Sequence, residues 1–131
     1  MRFTLTFLFI CCFFLANGQI VRTVHQSFEK EQAHLLELDL KANVEIQEWT
    51  GSRILVETTI SLEGANKNII EALIDAGRYH LEKTENGQSL LLNFKNLQNK
   101  LAVRSIEIYE TIRVKIFVPE GMQYDESLAA K

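Results

Sequence analysis

The chain is predicted to be mainly β, an antiparallel sandwich-like or short solenoid-like sheet with one amphipathic helix near residues 66–76. Three observations carry this. Apolar and polar residues alternate through several stretches, the period of a strand with one face on a core and the other in water. Ile69, Ile70, Leu73 and Ile74 instead recur at helical spacing. Asn86-Gly87 lies between two alternating stretches, a strong hairpin signal because both turn residues are expected to need positive φ.

The N-terminus comes first. Met1-Arg2 precedes an apolar run over residues 3–15, and Ala16-Asn17-Gly18 follows. A basic start, an apolar middle and small residues at positions −3 and −1 lay out a secretory signal peptide over 1–18. The run is shorter than the roughly 20 residues a membrane-spanning helix needs. Cleavage after Gly18 gives a mature start at Gln19, open to cyclisation to pyroglutamate; an uncleaved anchor is the alternative. Cys11 and Cys12 lie inside the run, and Phe9-Ile10 stand where a lipoprotein signal needs a small residue. Lipid anchoring is therefore not expected.

Beyond residue 18 the chain has no cysteine. That excludes a disulfide framework, a thiolate metal site and a cysteine nucleophile in the mature chain. A secreted domain held only by its core suits a bacterial envelope. Of the 14 Lys and Arg one, Arg2, is in the leader, so 13 face 17 Asp and Glu, a balance of −4. The charges are dispersed, with no basic stripe for nucleic acid or anionic lipid. One domain is expected over 19–121, with a flexible tail over 122–131.

Along that domain, Ile20, Val21, Val24 and Phe28 suggest an initial strand or lead-in arm. Leu36, Leu38 and Leu40, then Val44 and Ile46, then Ile54, Val56, Thr58, Ile60 and Leu62 each alternate with outward residues, with the pattern expected to falter at Leu62. Lys41-Ala42-Asn43 and Thr50-Gly51-Ser52 break them, predicting three consecutive strands joined by tight turns. Trp49 ends the second strand on its polar face and is placed over a strand edge.

Asn66 or Asn68 caps the predicted helix, Glu71 suits its first turn and Gly77 ends it. Residues 79–83 and 88–94 form the hairpin arms. Residues 95–104 are a loop or short helix. Ile106, Ile108, Ile112, Val114, Ile116 and Val118 share one parity that only Glu110 breaks, predicting a long strand with a bend or bulge there. Glu110 is expected to reach water at that bulge; a buried pair with Arg104 or Arg113 is the alternative.

No catalytic constellation emerges. His25, His34 and His80 lack metal-ligand spacing and are read as surface residues. Alternation puts Glu37, Asp39, Glu45, Glu57 and Glu107 on solvent faces, and Glu48 joins no set cleft pair. The serines lack a nucleophile elbow and the six glycines are isolated. No catalytic residue, cofactor or metal is assigned. Trp49, Tyr109, Thr111 and Phe117 mark a candidate interaction surface, with a free sheet edge expected near 106–118.

Residues 38–59, LDLKANVEIQEWTGSRILVETT, and 112–121, IRVKIFVPEG, together resemble the opening portion of the bacterial envelope domains called DUF4097, the GIN-type putative adhesins. The resemblance covers roughly 35–121. It implies a β-rich, solenoid-like domain of adhesion-like or scaffolding role. Family members typically continue into glycine-containing β-rungs after the Val-Pro-x-Gly element, whereas here ten residues follow. The expected function is that of an exported, non-enzymatic envelope domain acting in the periplasm or at the cell surface. Its expected partner is a protein or a second copy engaged through a sheet edge, with no nucleic acid and no membrane span after cleavage. The alternative is a small-ligand or glycan-binding module using exposed aromatics.

Overall fold

The alternation seen in the sequence resolves into β1 (Ile20–Glu29), β2 (Leu35–Asp39), β3 (Asn43–Trp49), β4 (Arg53–Glu63), α1 (Lys67–Asp75), β5 (Leu81–Asn86), β6 (Ser89–Phe94), β7 (Tyr109–Pro119) and β8 (Gln123–Asp125). The computed structural model describes residues 19–97 and 108–125. Among the described residues the protein is mainly β with one helix, as expected. Two four-stranded sheets form, ordered β1-β4-β7-β3 and β5-β6-β2-β8.

The sheets face each other across one apolar layer. Ile54, Val56, Val114, Ile116 and Val118 come from the first sheet, and Leu36, Leu38, Leu81, Leu90, Leu92 and Phe94 from the second. All belong to one buried cluster, so each strand hides its apolar parity against the opposing sheet. A second cluster of Ile60, Leu62, Ile70 and Tyr79 lies where α1 covers one end of the first sheet.

Both sheets mix antiparallel and parallel pairing, and β5–β6 is the one tight hairpin among the described strands. β1–β4, β4–β7 and β5–β6 are antiparallel, while β2–β6, β2–β8 and β3–β7 are parallel. The three expected consecutive strands exist, but they are not a meander. β2 belongs to the second sheet, and β7 separates β3 from β4 in the first. The reason is packing: Leu36 and Leu38 must face Val44 and Ile46 across the core, so the chain crosses between sheets at residues 40–42. Lys41 takes φ 52 at that crossing. A second crossing at residues 120–122 carries β7 into β8.

Three further expectations change. The β4 pattern does not falter, since Leu62 is fully buried and pairs with Glu110. The β4–β7 register is unbroken from Leu55↔Phe117 to Glu63↔Tyr109, so no bulge interrupts the ladder at Glu110. The tail is not free from 122 onward. Met122 is buried, and Gln123–Asp125 adds parallel to β2. Residues 126–131, like 98–107 and 1–18, lie outside the described residues.

The helix starts as predicted, with Asn66 Oδ1 accepting from Ile69 N at 3.0 Å. Gly77, at φ 80, closes it: its N–H donates to Ile74 O and that of Arg78 donates to Leu73 O. Glu71 lies past the first turn and pairs with Arg22 of β1 at 3.1 Å. In the hairpin, Asn86 pairs with Ser89, so the two turn residues are Gly87 and Gln88. Only Gly87 has positive φ, 64°, which needs one glycine at the first central position rather than two permissive residues.

Candidate functional site

The outward face of the first sheet carries all four residues expected to form an interaction surface. Odd-numbered positions of β1, β4, β7 and β3 line up across it by register. One row runs His25, Glu57, Lys115, Glu45. A neighbouring row runs Thr23, Thr59, Arg113, Asn43. Their β4, β7 and β3 members floor a shallow, open depression of about 290 Å³ in which acidic and basic side chains alternate. Alternating charge on adjacent strands is the ordinary way to stabilise a wet sheet face.

The structure divides the four candidates into two pairs. Tyr109 and Thr111 begin β7, while Phe117 lies near its end and Trp49 stands beside Pro119. Ten residues of strand put about 33 Å between the ends. Trp49 and Tyr109 therefore share no single ligand site.

At the Trp49 end the ring is half-buried. It lies over its own turn at Gly51, its Nε1 donates to Arg53 O at 2.9 Å, and it meets the edge of Phe117 at 6.5 Å. Lys115 Nζ stands 5.1 Å from the Phe117 ring centre. The expected place for Trp49 is over a strand edge; at the end of β3 its ring packs on its own turn and on Phe117. At the other end Tyr109 is 64% exposed and Val21 is 47% exposed. Thr111 pairs with Ser61, and Tyr109 with Glu63. Gln19 completes this corner: its Nε2 donates to Glu63 Oε1 at 2.5 Å and its Oε1 accepts from Ser61 Oγ at 3.2 Å.

The expected free edge near 106–118 is corrected from Arg113 onward. There β7 is bonded to β3 on one side and, through Phe117, to β4 on the other. Tyr109–Ile112 pair with β4 and lie beyond the reach of β3, and 106–107 lie outside the described residues. The edges of the first sheet are β1 and β3, and those of the second are β5 and β8.

Glu110 is neither at a bulge nor open to water. Arg78 holds both its oxygens, Nε to Oε2 at 3.0 Å and Nη2 to Oε1 at 2.9 Å. The Tyr79 hydroxyl donates to Oε2 at 2.5 Å. The partner is neither of those considered: Arg113 has outward parity, and Arg104 lies outside the described residues. Burial first, and then the hydrogen bond to the Glu110 carboxylate, push the Tyr79 phenol above the ordinary tyrosine range. The hydrogen bond to Glu110 likewise raises Arg78. No sequence signal names Arg78, because its partner is 32 residues away; the sole hint was a carboxylate at an apolar position.

His25, His34 and His80 are all exposed, and His80 Nδ1 lies 3.2 Å from Gln26 Nε2. Among the described residues no three His, Cys, Asp or Glu side chains gather into a group able to hold a metal. Glu37, Asp39, Glu45 and Glu57 sit on outward faces, and Glu107 lies outside the described residues. Near the hairpin, Lys83 Nζ contacts Glu85 at 3.0 Å and Glu31 at 3.5 Å. The hydrogen bond between the two carboxyl groups raises the Glu31 pKa and lowers that of Glu85. Among the described residues no helix is long and apolar enough to cross a membrane. Comparison with known proteins yields no match: no family model, no curated protein and no solved structure is similar to the chain.

Proposed function

We propose that this is an exported, non-enzymatic envelope domain that binds protein partners through a sheet edge in an adhesion-like or scaffolding role. Its site of action is the bacterial periplasm or cell surface. The reading follows the leader-like residues 1–18 and the resemblance to GIN-type envelope domains. In support, the two segments that carry the resemblance lie side by side, since β3 and β4 flank β7.

The observation that carries the proposal is the character of β1. It is an edge of ten residues, and among the described residues its backbone ladder is with β4 alone, one inward side chain, Gln26, reaching Leu81 of β5. It holds no proline and no lysine, and its two charged residues, Arg22 and Glu29, are each engaged in an ion pair, with Glu71 and Arg53. The other edges are blunted: β8 has three residues, β5 carries Glu82, Lys83 and Glu85, and β3 carries Glu45 and Glu48. Proteins commonly protect edge strands with charge or brevity, and a long unprotected edge is the usual docking site for an added strand.

Sedimentation and partner capture with the exported protein test this. Thr23→Lys with Ser27→Lys should abolish association while the melting temperature holds. Thr111→Glu, on β7 rather than β1, should leave association intact. Association that survives the lysine pair removes β1 as the binding edge.

A further inference from the structure

We infer that Gln19, freed as the N-terminus by removal of residues 1–18, is a modification site that closes to pyroglutamate with the help of Ser61 and Glu63. This rests on the reading of 1–18 as a cleaved leader. Pairing of Ile20 with Leu62 begins the β1–β4 ladder, so Gln19 stands opposite Glu63, one residue before the strand. Its side-chain amide is held at both ends: Ser61 Oγ donates to Oε1 at 3.2 Å, and Nε2 donates to Glu63 Oε1 at 2.5 Å.

That arrangement suits intramolecular amide exchange. The unprotonated α-amine attacks Cδ, and a new N–Cδ bond forms while the Cδ–Nε2 bond breaks. Ser61 Oγ–H points at the oxygen on which negative charge develops, the position that favours the tetrahedral intermediate. The Glu63 carboxylate accepts the proton shed by the attacking nitrogen and returns it to Nε2, which leaves as ammonia. The product is a neutral lactam, and no other reactant enters. An ordinary α-amine titrates at about 7.7–8.0, so the rate should climb through that range. Closure replaces a terminal positive charge by an uncharged ring on the sheet face that also carries Val21 and, across β4, Tyr109, both exposed.

Residues 19–131 contain every described strand and the helix, and can be released from a fusion so that Gln19 is the first residue. Loss of one ammonia from the intact mass, at pH 8, gives the rate. The folded chain should close about tenfold faster than the same chain in urea, below the 10²–10³ of an enclosed oxyanion donor because this corner is wet. Ser61→Ala and Glu63→Gln should each remove most of that gain, and Ser61→Thr should keep it. Closure in the folded chain no faster than in urea, or variants as fast as the parent, overturns the inference. Intact mass of the exported full chain is the separate arm: a first residue other than Gln19 overturns the leader reading, and the modification in the cell with it.

Discussion

The Arg78 guanidinium grips the Glu110 carboxylate through two hydrogen bonds, joining the exit of α1 to the start of β7. Both side chains are largely buried, at 11% and 16% exposure, and Tyr79 supplies a third donor to the same carboxylate. A buried charge that loses its partner keeps its desolvation cost and gains nothing in return. Glu110→Val should therefore destabilise the protein by about 2–4 kcal/mol, although it restores the apolar parity of β7. Arg78→Met with Glu110→Val should recover most of that loss, because no charge is then stranded. Urea unfolding midpoints check both. Stabilisation by Glu110→Val alone would show the pair to be a misfit.

Tyr79 lies within the same cluster and gives a titration prediction. Its phenol is raised by burial and by the Glu110 hydrogen bond. An acid whose pKa is higher in the folded state contributes stability that is whole below its unfolded value, about 10, and is lost as pH rises beyond it. Absorbance near 295 nm should show one tyrosine still protonated above pH 10, ionising only as the chain unfolds. Tyr79→Phe should remove that late step and flatten the alkaline loss of stability. A Tyr79 that ionises while the fold persists would refute the burial argument.

Trp49 and Gly51 make a third case. A Cβ on Gly51 would fall 2.1 Å from two atoms of the indole ring, so the ring and an alanine cannot both keep their places. Gly51→Ala should swing Trp49 off Arg53 O and Phe117 at a cost of about 1–3 kcal/mol, the range for overpacking. Trp49 is the only tryptophan, so its emission reports the change directly. A red shift with a lowered melting temperature is expected. Unchanged emission would mean that the ring does not rest on this turn.

Much of the fold was legible because each strand buries one parity. Leu36, Leu38 and Leu40, and Ile54 through Ile60, announced both their strands and their inner faces. What alternation does not encode is the neighbour. It shows that Val114 and Val44 point inward, not that β7 inserts between β3 and β4. β8 was illegible for a different reason. Its three residues are all exposed, and the strand is held by backbone bonds, with Gln123 N donating to His34 O at 2.9 Å at its start. At the candidate surface, parity correctly put Trp49, Tyr109, Thr111 and Phe117 on one outward face. The distance between the two pairs follows from strand length once β3 is known to end beside Pro119. That Arg78 is the partner of Glu110, and that Ser61 and Glu63 hold the Gln19 amide, had no signal, because these contacts join distant segments of the chain.

Gln26 gives the last prediction, since it ties together the edges of the two sheets. Its Oε1 accepts from Leu81 N at 2.9 Å and its Nε2 donates to Leu81 O at 3.3 Å, so one side chain stands in for a strand partner between β1 and β5. Leu81 is 1% exposed, so water cannot readily replace those bonds. Gln26→Leu should cost about 1–3 kcal/mol, the penalty for leaving a buried backbone donor unpaired. Hydrogen exchange at the Leu81 amide should quicken in step. Gln26→Glu separates the two bonds, because a carboxylate still accepts from the amide but cannot donate to the carbonyl. It should preserve most of the Leu81 protection at neutral pH while losing part of the stability. If both variants expose that amide equally, the acceptor contact is not what closes this edge of the sandwich.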